Sequence, residues 1–317
     1  MAVLGVCTLR QVDAKSPQEQ VDDNLRMMDS MALAARNRGW HLDMAVLPEV
    51  SFKFAEGNLK KAAEELDGKT VKAIGAKAKE LGAYATAPVL RRCGDQVRNS
   101  VVLLDRSGKP LGFYDKAHVA LMGDDSLEFG VTPGKEFPVF DLDFGRVGMQ
   151  ICVDVSYEVG WQALANQDAE LVLFPTNPAV ALALRGYAWK HGYYVACSAV
   201  HPPSVVVDPV GRVLASTKAD QEVSVVQVNM DYRVLSSPCM WSWQIADHPE
   251  YHGRIKVEWD VDSHQYLVSS LEKGLPVERF LQTEGLTTAR HRKEHHTELL
   301  RKAWVTEPVA PPAVERD

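Results

Sequence analysis

The sequence contains no apolar run close to the roughly 20 residues that a membrane-spanning helix needs. It has no Cys-x-x-Cys pair. Its five cysteines, Cys7, Cys93, Cys152, Cys197 and Cys239, are odd in number and widely scattered, which argues against a disulfide framework and points to free thiols in a reducing, cytoplasmic setting. A basic excess is missing too: 35 Lys and Arg stand against 42 Asp and Glu, a net charge of −7. That speaks against a partner held by phosphate charge, nucleic acid above all. G-x-S-x-G, G-x-G-x-x-G and the P-loop are absent, which removes the signatures of a serine-nucleophile elbow, a dinucleotide fingerprint and a triphosphate cradle. The N-terminus, Met1-Ala2-Val3-Leu4-Gly5-Val6-Cys7, carries no basic leader and reads as a first strand, not a signal peptide.

Apolar residues make up 46% and charged residues 24%, the balance of a soluble globular protein. A chain of 317 residues buries enough of its surface to fold without a disulfide or a metal. Strand and helix patterns alternate over the first 230 or so residues, which indicates an α/β fold. Residues 3–9 read as a strand. Ser16-Pro17-Gln18-Glu19 is a capping box with proline at the first helical position. Behind it, Val21, Leu25, Met28, Ala32 and Ala35 share one helical face. Residues 44–47 form a short buried strand halted by Pro48, and 70–81 a helix ending before Gly82. Strands are expected at 84–90, 100–104 and 111–114. A hairpin should turn at Asp143-Phe144-Gly145, and another at Asp208-Pro209-Val210-Gly211. Helices are expected at 158–167 and 179–191, with strands at 171–174, 193–199 and 222–230.

Composition changes after about residue 235, where tryptophan and histidine become denser. The expected organisation is a main domain over 1–235 and an extension over 236–317 that packs on the domain or on a partner subunit. Metal binding is not expected. His291 and His295, like His248 and His252, are four apart, but neither pair has the H-E-x-x-H pattern. The first lies among Arg290, Arg292 and Lys293, whose charge repels a cation.

Three segments place a reactive side chain just after a buried strand, where α/β proteins build their sites. They are Leu47-Pro48-Glu49, Tyr114-Asp115-Lys116-Ala117-His118, and Gly148-Met149-Gln150-Ile151-Cys152-Val153-Asp154. Each alone is an ordinary pattern. Together they give a glutamate, a lysine and a cysteine in an order and spacing that resemble the nitrilase superfamily of carbon–nitrogen hydrolases, in its amidase and carbamoylase-like branch. Asn99-Ser100, Thr132-Pro133-Gly134, Leu171-Val172-Leu173-Phe174-Pro175 and Asp208-Pro209-Val210-Gly211-Arg212 extend the likeness over residues 3–233.

The chemistry of those residue types agrees. A free cysteine is only a few per cent thiolate at neutral pH, and an amide is a poor electrophile with a poor leaving group. The reaction therefore needs a base for the thiol, a donor for the oxyanion and an acid for the amine. Glu49 fits the base and acid, Lys116 the oxyanion partner, Cys152 the nucleophile, and the Val153 backbone N–H a second donor. An activated Cys152 is expected to alkylate faster than Cys93. The resemblance also implies a supporting carboxylate before the Pro-Gly turn: Glu128, with Asp124 and Asp125 as alternatives. Tyr157 and Asn177 are pocket candidates, His118 a buttress of the lysine loop, and Trp241, Trp243 and Cys239 a possible lid.

After Cys152 the sequence departs from the family pattern. The stretch Val155-Ser156-Tyr157-Glu158-Val159-Gly160-Trp161 lacks the usual proline, and Trp161 stands where an arginine is expected, which puts a structural ion pair in question. The cysteine–tryptophan–glutamate run of true nitrilases is absent, which tilts the substrate toward an amide or carbamoyl group. The resemblance thus implies a four-layer α-β-β-α sandwich with a C-terminal extension. It also implies a homodimer or higher homo-oligomer and a cofactor-free, metal-free hydrolase of non-peptide C–N bonds in small molecules, with no nucleic-acid or membrane partner. Nitrile hydrolysis, acyl transfer on the same triad and a non-catalytic scaffold are the rival readings.

Overall fold

The computed structural model describes residues 1–9, 16–52, 59–236 and 251–304. Contacts divide the chain into two units, Met1–Met230 and Asp231–Asp317.

The first unit opens with β1 (Ala2–Cys7), α1 (Pro17–Arg36), β2 (Met44–Val46), α2 (Leu59–Ala62), α3 (Lys69–Leu81), β3 (Tyr84–Cys93), β4 (Gln96–Leu104) and β5 (Pro110–Asp115). It continues with β6 (Val139–Leu142), β7 (Gly145–Met149), α4 (Glu158–Asn166), β8 (Leu171–Thr176), α5 (Ala181–His191), β9 (Tyr194–Ala199), β10 (Val205–Val207), β11 (Val213–Ser216) and β12 (Val223–Val228). Two six-stranded sheets result, ordered β12-β1-β2-β3-β4-β5 and β11-β10-β9-β8-β7-β6. β1 and β2 lie against β8 and β9. Strands β1, β2, β8, β9 and β10 are buried at every residue, as strands covered on both faces must be, which is why they read as unbroken apolar runs.

Helices α1 and α3 cover the outer face of the first sheet through a core that includes Met28, Met31, Ile74, Ala85 and Val102. Helices α4 and α5 cover the second through Trp161, Leu164, Leu184, Phe174 and Val195. The architecture is the expected α-β-β-α sandwich. Hydroxyls stitch the two sheets: the Cys7 N–H donates to Ser198 Oγ at 2.9 Å, Ser198 Oγ donates to the Val46 carbonyl at 2.7 Å, and Ser204 Oγ donates to the Cys7 carbonyl at 2.8 Å. Each satisfies a buried polar group that a purely apolar seam would leave stranded.

Local signals held where chemistry fixed them. Ser16 caps α1 by accepting from the Glu19 N–H at 3.2 Å. Gly82 ends α3 at φ +64°, a left-handed cap that glycine adopts without steric cost. β3 and β4 run further than their apolar cores, meeting in a hairpin at Gly94-Asp95. The extra residues include Arg91, Arg92 and Arg98, and Arg91 reaches Asp115 through two bonds of 2.6 and 3.1 Å. Arginines paired in this way tolerate a strand that looks polar in sequence.

The second unit contains β13 (Tyr232–Ser236), β14 (Ile255–Asp260) and β15 (Gln265–Ser270) in the antiparallel order β13-β15-β14, with α6 (Val277–Thr283) and α7 (Ala289–Trp304). A division at 235/236 would split β13, which pairs with β15 along its whole length. The unit has its own core of Leu235, Tyr251, Tyr266, Val268, Phe280 and Leu281. Cys239, Trp241, Trp243 and His248 lie outside the described residues. His291 and His295 are exposed on α7, and no cluster of three or more metal-ligating side chains occurs among the described residues. No described helix is long and apolar enough to cross a membrane.

Candidate active site

The site forms where strands of both sheets end together. From the first sheet, the buried β2 runs into Leu47, whose N–H donates to Thr86 Oγ1 at 2.7 Å. Pro48 then stops the ladder, and Glu49 follows with 4% of its surface exposed. From the edge of the same sheet, Lys116 follows β5. Its N–H donates to the Asn99 carbonyl and its carbonyl accepts from the Gly134 N–H, at 2.9 and 2.8 Å. The Thr132-Pro133-Gly134 turn thereby clamps the lysine backbone. A Cβ at Gly134 would lie 2.2 Å from the Asp115 carbonyl oxygen, so only glycine permits that approach.

From the second sheet, Cys152 lies three residues past the end of β7 and heads a short turn, Cys152–Ser156. Its φ is +48°. A non-glycine residue held there costs about 1–3 kcal/mol and persists only where its surroundings enforce it.

The three side chains meet. Lys116 Nζ donates to Glu49 Oε1 at 2.9 Å, and the Cys152 thiol hydrogen-bonds to Glu49. Glu128 joins them: its Oε1 accepts from Lys116 Nζ at 2.9 Å and its Oε2 from the Ala120 N–H at 2.8 Å. Asp124 and Asp125, the alternatives to Glu128, are exposed in the preceding turn, where Asp124 accepts from Ser126. Asn99 entered the sequence reading only as part of the family likeness. It is fully buried in β4, and its Nδ2 donates to Glu49 Oε1 at 2.9 Å and to Glu128 Oε1 at 2.8 Å.

Burial alone would lower the Lys116 pKa, but Glu49, Cys152 and Glu128 outweigh it and hold the ammonium above its ordinary value. Burial raises the Cys152 thiol and the Glu49 charge raises it further, against Lys116 and the Asn177 N–H, so that it is pushed up to about 12. Both effects favour the protonated thiol at rest, since a desolvated sulfur facing a carboxylate keeps its proton. Cys7 and Cys197 are buried, and burial pushes both thiols up.

Asn177 enters through its main chain, its N–H directed at the Cys152 sulfur, while its side chain is exposed. Val153 occupies the turn directly after Cys152. Tyr157, 47% exposed, stacks on the His118 ring at 4.0 Å with only 7° between planes. A second residue whose role went unread is Asp154. Its buried carboxylate accepts from Tyr114 Oη at 2.7 Å, the Ile151 N–H at 2.9 Å and the His118 N–H at 2.9 Å, and meets His118 Nδ1 at 2.8 Å. It ties the lysine loop to the cysteine turn. The available signal was its place two residues after the cysteine, inside a motif already singled out.

Trp161 replaces the expected arginine without leaving a gap. It is fully buried, donates from Nε1 to the Asp154 carbonyl at 3.0 Å and stacks on Tyr187 at 4.3 Å. Glu158 pairs instead with Lys190 at 2.8 Å and His191 at 3.0 Å.

A double-sheet sandwich with a glutamate, a lysine and a cysteine gathered at its strand ends defines a recognisable class of proteins. Residues 4–234 match the carbon–nitrogen hydrolase family, and the chain belongs to that family. Among curated relatives, a hydrolase from the pqqF 5′ region of Pseudomonas protegens is 29% identical over 208 residues, covering 62% of this chain and 71% of its own. An omega-amidase of Danio rerio is 26% identical, covering 68% of this chain and 84% of its own. An N-carbamoylputrescine amidase of Solanum tuberosum is 32% identical over 31% of this chain and 33% of its own. Among solved structures, an amidase from Nesterenkonia sp. superposes with a TM-score of 0.58 at 21% identity over 72% of this chain and 90% of its own. A carbon–nitrogen hydrolase from Helicobacter pylori gives 0.61 at 17% identity over 79% and 93%. These structures share the fold.

Proposed function

We propose that the protein hydrolyses a non-peptide C–N bond, an amide or N-carbamoyl group of a small molecule, through a Cys152 thioester. The carrying observation is the contact chain from the Cys152 thiol to Glu49 and from Glu49 to Lys116. A thiol at about 12 cannot ionise alone at neutral pH, so its proton passes to the Glu49 carboxylate as sulfur attacks the carbonyl carbon. The carbonyl π bond opens to an oxyanion, which Lys116 Nζ and the Val153 N–H stabilise. Losing one such donor typically costs about 2.7–4 kcal/mol. The intermediate collapses, the C–N bond breaks, and Glu49 hands its proton to the departing amine. A water then gives a proton to Glu49 and attacks the thioester, and the thiol is regenerated with release of the acid. Apart from the attacking water, every acid, base and donor in this cycle comes from the chain itself.

The omega-amidase and carbamoylputrescine amidase relatives support amide and carbamoyl substrates. Free cysteines in the described residues fit a cytoplasmic setting. A homo-oligomer is part of the same proposal: Leu182, 82% exposed, and Trp189, 47% exposed, lie on α5 and suit an apolar contact with a second copy.

The test is ammonia release from small amides, carbamoyl amino acids and nitriles, with Cys152→Ala as control. Release from amides or carbamoyl compounds that vanishes in Cys152→Ala is expected. Preferred turnover of nitriles, or turnover surviving in Cys152→Ala, overturns the proposal. Hydroxylamine added to the reaction distinguishes acyl transfer by diverting product from free acid to hydroxamate.

A further inference from the structure

Asn99 makes a pairing that the proposed cycle does not use. Its single amide nitrogen donates one hydrogen to Glu49 Oε1 at 2.9 Å and the other to Glu128 Oε1 at 2.8 Å. Lys116 Nζ bonds the same two oxygens, each at 2.9 Å. Two donors and two acceptors form a closed diamond, almost wholly shielded from water: Asn99 is 1% exposed, Lys116 2%, Glu49 4% and Glu128 3%. The orientation of the amide follows from this network, because the reversed amide would set its oxygen against two carboxylates.

Two carboxylates sharing one ammonium carry one uncompensated negative charge. The usual outcome is that one of them takes up a proton. Hydrogen bonds to the charged form oppose that uptake, and Asn99 supplies one to each. The Asn99 side-chain oxygen, by contrast, finds no hydrogen-bond partner among the described residues. A residue kept only to fill this place would be better apolar, since an unsatisfied buried acceptor is unfavourable. The amide is there for its two hydrogens.

We infer that Asn99 is a positioning residue that keeps Glu49 in its unprotonated form, ready to receive the thiol proton. This rests on the proposed role of Glu49 as the acceptor for Cys152. Among the described residues, the charged and titratable groups facing Glu49 are Lys116 after β5, Glu128 on its loop and Cys152 on its turn. Glu128 has a further fixed donor in the Ala120 N–H. The third donor to Glu49 is the thiol itself, whose proton can move. Without Asn99 the carboxylate of Glu49 becomes more basic and draws that proton across, leaving more thiolate beside Lys116 with no net uptake from solvent.

The experiment uses Asn99→Leu, which removes both donors at similar volume, and Asn99→Ser, which keeps one. The first readout is the rate at which methyl methanethiosulfonate modifies Cys152 at pH 7, followed by intact mass, with folding checked by circular dichroism. A hydrogen bond to a charged group corresponds to about 1–2 pH units, so modification should accelerate about 3- to 10-fold in Asn99→Leu and less in Asn99→Ser. The second readout is the acid limb of kcat/KM on a small amide, which should move up by about 1 pH unit, since a more basic Glu49 stays protonated to higher pH. A folded variant with an unchanged modification rate and an unmoved limb overturns the inference, and so does slower modification. If modification accelerates while the wild-type protein turns over no amide, carbamoyl compound or nitrile, the hydrolase proposal fails and the role of Asn99 stands.

Discussion

Replacing Glu49 with glutamine should drive two measurements on Cys152 in opposite directions. The substitution keeps the side-chain volume and a carbonyl acceptor for Lys116, but it removes a negative charge and a base. In the native site, burial and the Glu49 carboxylate push the thiol up to about 12, so at pH 7 the thiol form dominates strongly. With the carboxylate gone, Lys116 acts on the sulfur unopposed. A neighbouring charge moves a pKa by about 1–3 units, so the thiolate population at pH 7 should rise about 10- to 1000-fold. The less basic thiolate is a weaker nucleophile, with a Brønsted slope of about 0.4–0.5. The net gain in modification by methyl methanethiosulfonate is therefore about 3- to 50-fold. Turnover should move the other way, losing about 10²–10⁴-fold with the general base. The pH dependence carries the same sign. Native modification should climb about tenfold per pH unit well past pH 9, because the thiol titrates far above that range, whereas Glu49→Gln should level off earlier. Rates are followed by intact mass on the folded protein, with the exposed Cys93 as an internal reference. If Glu49→Gln slows modification together with turnover, Glu49 is not the group that keeps the sulfur protonated, and the proton path proposed here is wrong.

Two other substitutions test how the site is held. Asp154→Asn leaves one acceptor oxygen for donors from Tyr114, Ile151 and His118 and turns an NH₂ toward the rest. Two lost bonds to a charged acceptor correspond to about 3–6 kcal/mol, read by denaturant unfolding, and a loss under about 1 kcal/mol would show that the tie between the two loops is dispensable. Gly134→Ala sets a methyl 2.2 Å from the Asp115 carbonyl. It should destabilise the protein by about 1–3 kcal/mol and, by shifting Lys116, lower kcat about 10²-fold; native kcat in a folded variant would refute the clamp.

Where a residue's partners were adjacent in sequence, its structure was legible. The Ser16 cap needs only Glu19, and the buried strands announce themselves as apolar runs because both faces are covered. The second unit shows the opposite. Residues 255–260, Ile-Lys-Val-Glu-Trp-Asp, alternate with the period of a half-covered strand, yet this stretch was marked only by its change of composition, as an extension. The pairing β13-β15-β14 unites segments on both sides of residues 237–250, and no local pattern encodes that. In the candidate site the three reactive side chains were readable because each follows a strand. Asn99 and Asp154 were not. Each sits inside an apolar or already assigned segment, and its meaning lies in partners such as Glu128 and Tyr114, which are 29 and 40 residues away.

Trp161 shows why a missing motif position need not mean a missing function. An arginine there would bring a charge into the outer layer and would need a buried carboxylate to offset its desolvation. The indole meets the same turn with a neutral donor, Nε1–H to the Asp154 carbonyl at 3.0 Å, and Tyr187 Oη donates to the next carbonyl, Val155, at 3.0 Å. The two rings stack at 4.3 Å and nearly parallel, so each fixes the other's donor. Two carbonyls of the turn that begins at Cys152 are thus satisfied by aromatic side chains from α4 and α5. The carboxylate of Asp154 remains free to hold Tyr114 and His118 on the lysine side. The strained φ of Cys152 is enforced from both flanks, with the sheet in front and the aromatic pair behind. The departure from the family pattern lies in how the turn is anchored, while the meeting of sulfur, carboxylate and ammonium is preserved.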